Sequence, residues 1–233
     1  MLRKPTTIAL ALLAATALTA CDDDDDELTA PGTTAQLRVV HASPDAPNVD
    51  VLVDNASVLT NVAYKTASNY LPVTSGSRNL KVRAAGSTTV VIDQNAALAQ
   101  GTYYTVLATG RVASIAPIVL TDDQTNPASG NVRVRLVHAS PTAGNVDIYV
   151  TTPTADIATA SPTVPNVAFR AVSNYLEVPA GTYRVRITPV GTKTVAIDVN
   201  NVALAAGQVR TAVAVDAPGG GAPLSAILLA DKN

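Results

Sequence analysis

One eleven-residue motif occurs twice in the chain, and it constrains the fold more than any other feature. The first copy reads His-Ala-Ser-Pro-Asp-Ala-Pro-Asn-Val-Asp-Val from His41, and the second reads His-Ala-Ser-Pro-Thr-Ala-Gly-Asn-Val-Asp-Ile from His138. The offset of 97 residues between the copies becomes 105 at the sequence Ser-Asn-Tyr-Leu, which starts at Ser68 and again at Ser173. One insertion of eight residues within 151–165 accounts for the change. Repeats of this length are typical of tandem domains.

Short stretches of alternating apolar and polar residues predict β-strands within each repeat. Leu37 and Val39 share one face while Arg38 and Val40 share the other, and the prolines that follow end the strand. Glycines separate further candidate strands at 49–53, 68–73, 79–84, 88–93, 103–109 and 114–121. We therefore predict an all-β protein: two tandem antiparallel immunoglobulin-like β-sandwich domains at 35–121 and 132–231, joined by a linker at 122–131.

The repeated motif also resembles a known family. The stretch that begins at His41, followed by a Ser-x-Tyr-x-x-Val-x-x-Gly sequence from Ser68, is similar to the bacterial domain of unknown function forty-three ninety-seven. The resemblance covers nearly all of 36–231 in two copies, and the second copy departs from it at Thr142 and Gly144. It implies an architecture without implying an activity.

The first residues have the pattern of an export signal. Arg3 and Lys4 precede an apolar run at 8–18, which is too short to span a bilayer as a helix. The sequence Leu-Thr-Ala-Cys at 18–21 resembles a bacterial lipobox, which implies a signal peptide at 1–20 and a lipid on Cys21. We expect a lipoprotein anchored in the membrane of the bacterial cell envelope, facing the periplasm or the cell surface.

A short acidic segment follows the lone cysteine. Residues 21–34 contain an unbroken run of five aspartates and one glutamate, and like charges in a block repel and extend. We expect this segment to be a solvated tether, with a sorting signal as the alternative. Without these six acids and the two basic residues of the signal peptide, the net charge of -2 becomes +2, so the folded part is nearly neutral. Such a charge does not favour nucleic acid as a partner.

The histidines and aspartates of the repeated motif are the first candidates for a chemical site. His41 and His138 follow apolar residues of their own strand faces, and Asp50 and Asp147 alternate away from such faces. We expect all four to be structural, with the histidines bonded to backbone in the Ser-Pro turn. Pairing of each histidine with the serine two residues later would be the alternative for a nucleophile.

The composition gives little indication of a metal-binding site or a bound cofactor. Asp45, Asn48 and Asp50 have oxygen ligands suited to calcium, but the second repeat has threonine in place of Asp45. Zinc and iron prefer clusters of histidine and cysteine that this sequence lacks. We predict no metal and no cofactor.

Arginines supply the candidate binding surface. If the first two strands of each repeat form a hairpin, Arg38 would meet Asp50, and Arg135 would meet Asp147. Two strands of the second repeat each carry two arginines spaced by two: Arg133, Arg135, Arg184 and Arg186. If these strands are neighbours, the four arginines share an outward basic face, which is either simply solvated or binds phosphate or carboxylate.

The expected function is non-catalytic. No third residue orients a nucleophile, so the sequence favours a structural or protein-interaction module of the cell envelope, with envelope proteins as partners. The alternative is an adhesive or ligand-binding module that holds anionic glycans or lipid headgroups on the basic face of the second repeat.

Overall fold

The computed structural model describes residues 33–232, and the predicted signal peptide, Cys21 and the acidic run lie outside this range. Strands make up nearly all of the regular secondary structure in both repeats. The strands of the first repeat are β1 (Thr34–Ala42), β2 (Val49–Val53), β3 (Ala56–Val62), β4 (Leu71–Thr74), β5 (Gly76–Ala84), β6 (Val90–Leu98), β7 (Tyr103–Thr109) and β8 (Ala116–Asp122). A single 3₁₀ turn at Val112–Ser114 precedes β8. No helix in the described part of the chain is long and apolar enough to cross a membrane.

The second repeat has the same succession of strands. They are β9 (Asn131–His138), β10 (Val146–Thr151), β11 (Val164–Val167), β12 (Leu176–Pro179), β13 (Gly181–Pro189), β14 (Ile197–Leu204), β15 (Val209–Val215) and β16 (Ser225–Lys232). The eight-residue insertion lies in the loop between β10 and β11. In the first repeat a tight turn at Asp54 and Asn55, both with positive φ, connects β2 to β3 instead.

Each repeat consists of two four-stranded sheets, which confirms the predicted all-β fold of two tandem sandwich domains. The sheet orders are β4-β1-β7-β8 and β3-β2-β5-β6 in repeat 1, and β12-β9-β15-β16 and β11-β10-β13-β14 in repeat 2. We call β4-β1-β7-β8 and β12-β9-β15-β16 the inner sheets. Each repeat has its own apolar core, which in repeat 1 includes Leu37, Val39 and Val106.

Two details differ from the sequence prediction. The strands are not all antiparallel, because β1 pairs in parallel with β7 and β9 in parallel with β15. Between these partners the chain passes through the other sheet and returns, as a parallel pair requires. Strand β3 was not predicted, because it is an edge strand with mostly exposed or half-buried residues and no clean alternation.

The inner sheets are covered on both faces. One face packs on the core of its own repeat, and the other packs on the inner sheet of the other repeat. A third apolar core fills the space between the repeats and includes Val40, Leu107 and Leu120 of repeat 1 with Val137, Val213 and Leu229 of repeat 2. The two repeats therefore share buried surface and belong to one compact unit.

Candidate functional site

The four arginines of the expected basic face do not lie together. Arg133 and Arg135 belong to β9, whereas Arg184 and Arg186 belong to β13 in the opposite sheet of the same sandwich. Arg135 and Arg186 are only 4% and 3% exposed, and Arg184 forms an ion pair with Asp198. The prediction of one outward face was wrong because it assumed that the two strands were neighbours in one sheet.

The expected hairpin ion pairs are also not formed. Strands β1 and β2 lie in different sheets, so Arg38 does not meet Asp50, and Arg135 does not meet Asp147 for the same reason. Both arginines project from their inner sheets toward the other repeat. Their partners are two aspartates that the sequence analysis had not singled out, Asp122 and Asp231.

Arg38 and Arg135 form a reciprocal set of ion pairs between the repeats. Arg38 of repeat 1 donates to Asp231 of repeat 2, and Arg135 of repeat 2 donates to Asp122 of repeat 1. The second carboxylate lies 3.6 Å from Arg38 and 3.7 Å from Arg135. All four side chains are at most 5% exposed, so two positive and two negative charges balance one another away from water.

Threonine hydroxyls and main-chain carbonyls complete this arrangement with the same symmetry. The Nε atoms of Arg38 and Arg135 donate to Thr105 and Thr211 at 2.9 and 3.0 Å. Each threonine donates in turn to the aspartate of its own repeat at 2.5 Å. A third nitrogen of each arginine donates to a carbonyl of the other repeat. We call this set the reciprocal cluster: Arg38, Thr105, Asp122, Arg135, Thr211 and Asp231.

Two tyrosines close the reciprocal cluster. The hydroxyl of Tyr70 donates to Asp122 at 2.7 Å, and that of Tyr175 donates to Asp231 at 3.0 Å. The ring of Tyr70 lies under the guanidinium of Arg38 at 4.6 Å. Burial, and secondarily the nearby aspartate, raise the pKa of both hydroxyls above their ordinary value, so both remain protonated donors. Each charged group of the reciprocal cluster therefore has an oppositely charged partner, and the arrangement is suited to holding the two repeats together.

Other polar contacts join the repeats around the apolar interface. The hydroxyl of Tyr64 donates to the carbonyl of Asp216 at 2.9 Å, and Arg170 donates to the carbonyls of Thr109 and Ser114 at 3.1 and 2.7 Å. These contacts fix the orientation of one repeat on the other at a distance from the reciprocal cluster.

The connecting segment 122–131 is held along its length. Gln124 donates to the carbonyl of Asp231, and Lys232 donates to the carbonyl of Gln124 at 2.8 Å. Asp123 pairs with Arg133 at 2.7 Å, and hydrogen bonds from Thr125, reinforced by that arginine, lower the pKa of Asp123 to about 2. The segment is therefore bonded to the second repeat through ion pairs and carbonyls.

Gly110 provides a test of the packing between the repeats. Its φ is +91°, and a Cβ atom there would lie 2.6 Å from Nη2 of Arg170 and 3.0 Å from the carbonyl of Ser114. We expect Gly110→Ala to lower the free energy of unfolding by about 1 kcal/mol or more beyond the cost of Gly101→Ala, because it disturbs a charged hydrogen bond as well as the backbone. Gly101 has a φ of +68° and no atom within 4 Å of such a Cβ, so it is the matched control. Equal losses in urea unfolding would contradict the contact.

The two histidines of the repeated motif are fully buried in equivalent surroundings. Nε2 of His41 lies 3.0 Å from the carbonyl of Pro47, and Nδ1 lies 3.3 Å from the main-chain nitrogen of Ser43. His138 makes the same two bonds to Gly144 and Ser140, at 2.7 and 3.3 Å. A neutral ring with its proton on Nε2 satisfies both contacts. The exchange of proline for glycine at the acceptor position is tolerated because the bond uses a main-chain carbonyl.

The motif aspartates join two turns each. Asp50 accepts hydrogen bonds from the main-chain nitrogens of Asn61 and Gly86 at 3.0 and 3.4 Å. Asp147 accepts from Asn166 and Gly191, both at 2.8 Å. The bond from Asn61 is the main reason that the pKa of Asp50 is lowered. The two aspartates therefore have the same structural role in both repeats.

The hydroxyl groups of the motif serines donate hydrogen bonds within the protein. Ser43 donates to the carbonyl of Gly110 at 2.5 Å, and Ser140 donates to Asp216. His138, Ser140 and Asp216 lie close together, yet all three are 0% exposed and the aspartate contacts the serine. A substrate has no access to such a hydroxyl, so this arrangement does not resemble a working nucleophile.

The calcium alternative is not favoured by the contacts of its three residues. Asp45 accepts from the main-chain nitrogen of Val112 at 2.9 Å, and Asn48 donates to Asn61 at 2.9 Å. Asp50 serves the turns already described. Within residues 33–232 no group of three or more histidine, cysteine, aspartate or glutamate side chains is arranged to hold a metal ion.

The buried histidines predict a pH dependence of stability. Burial lowers the pKa of His41 and His138 below the ordinary 6.5, so the unfolded chain binds protons more readily than the folded one as the pH falls below about 6.5. Stability is therefore full above this pH and decreases as the pH is lowered, by at most about 1.4 kcal/mol per pH unit for each histidine.

Urea unfolding at pH 7.5, 6.5 and 5.5 tests this dependence. The His41→Gln/His138→Gln variant is expected to show a much flatter profile in the same range, because carboxylates with lowered pKa such as Asp50 titrate below it. An unchanged midpoint for the wild-type protein across these three values would contradict the prediction.

Comparison with known proteins identifies the family. The family model for a domain of unknown function, DUF4397, matches residues 35–149 and 150–233. The chain belongs to the DUF4397 family. The resemblance suggested by the motifs, with two copies in tandem, is thereby confirmed. No curated protein matches this DUF4397 chain.

Two solved structures are similar to the chain at low identity. A family 26 carbohydrate-binding module of Amy13K from Eubacterium rectale, crystallised with maltoheptaose, is 11% identical with a TM-score of 0.27, covering 85% of this chain and 98% of its own. A candidate adhesin from Bacteroides ovatus is 12% identical with a TM-score of 0.24, covering 81% and 90% respectively. Neither likeness, at these values, bears on the function of the DUF4397 chain.

Proposed function

We propose that this protein is a lipoprotein of the bacterial cell envelope, anchored through Cys21, whose two repeats act together as one rigid, non-catalytic interaction module. The observation that carries the proposal is the reciprocal cluster with its surrounding apolar core, which joins both inner sheets into a single body. A module that holds or spaces partners benefits from such rigidity, since no binding energy is lost in ordering two independent domains.

The use of the polar side chains supports a non-catalytic role. Both histidines, both motif serines and the four charged residues of the reciprocal cluster form hydrogen bonds within the protein. The surface that remains includes a few exposed apolar side chains at equivalent places in the two repeats, such as Val90 and Val195, 41% and 39% exposed. Envelope proteins are the partners that such weakly charged surfaces suit best.

Fractionation tests the anchor. We expect the wild-type protein to sediment with membranes and the Cys21→Ser variant to be released. Membrane association of Cys21→Ser equal to that of the wild type would contradict the anchor and leave the folded module unaffected.

In-cell photo-crosslinking tests the module. A photoreactive amino acid at position 90 or 195 is expected to capture a discrete set of envelope proteins. The same substitution at Val213, which is buried between the repeats and 0% exposed, is the control that should capture none of them. Capture confined to lipopolysaccharide or other glycan, or no adduct from either exposed position, would contradict the proposed class of partner.

A further inference from the structure

The sandwich of repeat 2 contains an apolar cleft that repeat 1 lacks. Its volume is about 290 Å³, whereas the apolar pocket between the two sheets of repeat 1 has a volume of only about 10 Å³. The cleft lies between the two sheets, and its lining consists of valine, leucine and alanine side chains with a threonine and a single charged residue, Arg210. Leu228, which also lines it, is 56% exposed, so the cleft opens to solvent beside β16.

Two differences between the repeats create the cleft. The register of β7 on β1 and of β15 on β9 places Arg210 at the position of Tyr104, and Ala212 at the position of Val106. Tyr104 and Val106 are 7% and 5% exposed and fill the core of repeat 1. Repeat 2 therefore has a cation, Arg210, in place of the ring of Tyr104, and the small side chain of Ala212 in place of Val106.

One main-chain hydrogen bond beside the cleft has a different acceptor in each repeat, because repeat 2 has no tyrosine at this position. In repeat 1 the hydroxyl of Tyr104 accepts a bond from the main-chain nitrogen of Ala99 at 3.0 Å. In repeat 2 the side-chain oxygen of Gln208 accepts the equivalent bond from Ala205, also at 3.0 Å. The same main-chain nitrogen is therefore bonded in both repeats, by a tyrosine hydroxyl in repeat 1 and by a glutamine side chain in repeat 2.

The guanidinium of Arg210 is available to an anion. Its Nε lies 3.4 Å from Gln208, and among residues 33–232 no carboxylate lies within ion-pair distance of it. An apolar cleft with one cation complements a molecule that has one hydrocarbon chain and one negative group. We propose that the cleft of repeat 2 binds a free fatty acid, with the chain between the sheets and the carboxylate on Arg210.

This site is independent of the proposed interaction module, since it requires neither an anchor nor a protein partner. The proposed fatty-acid site implies that the two repeats have diverged in function, since repeat 1 has a closed core and repeat 2 holds a ligand. The cleft, at about 290 Å³, is just below the size range of small-molecule sites, about 300–1,000 Å³, which suits a single hydrocarbon chain.

Calorimetric titration of the full chain with myristate, below its micelle concentration, tests the proposal. We expect saturable binding at one site and a loss of about tenfold or more in affinity for Arg210→Gln, because a charged hydrogen bond is removed. Tetradecanol, which has the same chain without the charge, should bind the wild type and Arg210→Gln equally. Lys81→Gln, which removes a half-buried cation from repeat 1, is the matched control and should bind myristate as the wild type does.

A second variant tests the location. Ala212→Val restores the side chain of repeat 1 and should weaken the binding of both ligands, because it narrows the cleft, while thermal unfolding shows that the fold survives. The absence of saturable myristate binding by the wild type would overturn the proposal. So would undiminished binding by Ala212→Val, or equal weakening of both ligands by Arg210→Gln.

Discussion

Replacing Arg135 with methionine is expected to lower the free energy of unfolding by about 3–5 kcal/mol. The substitution keeps much of the apolar stem but leaves Asp122 and Asp231, 2% and 3% exposed, with a single positive charge between them. A buried charge that has lost its partner is costly because water cannot reach it. Arg38→Met should have a comparable effect, since the two arginines occupy equivalent places in the reciprocal cluster.

Urea unfolding followed by circular dichroism measures this loss. Arg184→Met is the matched control, because Arg184 pairs with Asp198 at a site where both side chains are about one third exposed. We expect the control to cost no more than about 1 kcal/mol. A similar small loss for Arg135→Met would show that the reciprocal cluster does not hold the repeats together.

Leu107→Ala is expected to destabilise the protein by about 2–5 kcal/mol. Leu107 is 0% exposed and lies in the apolar core between the inner sheets, so its truncation leaves a cavity that both repeats line. The loss should appear in both repeats: main-chain amides of β15 should lose as much protection from hydrogen exchange as those of β7.

The control for this variant is Val119→Ala on the adjacent strand β8. Val119 is 37% exposed, and its truncation should cost less than about 1 kcal/mol. Loss of protection confined to repeat 1 in Leu107→Ala would contradict a shared core, whatever the size of the overall effect.

The alternation of residues in β1 and β9 predicted the directions of their side chains correctly. Leu37 and Val39 do face the core of repeat 1, and Arg38 and Val40 do face away from it. A period of two says which residues share a face, but it does not say whether that face meets water or another sheet. Hence the arginines were expected at the surface, whereas they lie in the interface between the repeats.

The partners of these arginines also recur in both repeats, but the offset is 109 residues for the aspartates and 106 for the threonines, so the sequence offset of 105 does not match them. Asp122 and Asp231 occupy equivalent places in the last strands of their repeats, and Thr105 and Thr211 are equivalent residues of β7 and β15. A polar residue repeated inside an apolar strand indicates a shared structural role. Pairing across repeats was still hidden, because it depends on how one sandwich packs on the other.

The apolar cleft could not be anticipated from one repeat by itself. Arg210 in an alternating strand is typical of a solvated face, and only the register of β15 on β9 shows that it replaces a buried tyrosine. By contrast, the repeated motif itself predicted equivalent, structural surroundings for His41 and His138, and the two sets of hydrogen bonds match.

Differential scanning calorimetry of the protein tests most directly whether the two repeats form one body. A shared core and a reciprocal cluster predict a single unfolding transition whose calorimetric and van 't Hoff enthalpies agree. Two separate transitions, each with about half of the total enthalpy, would show that the repeats unfold independently and would contradict the coupling between them.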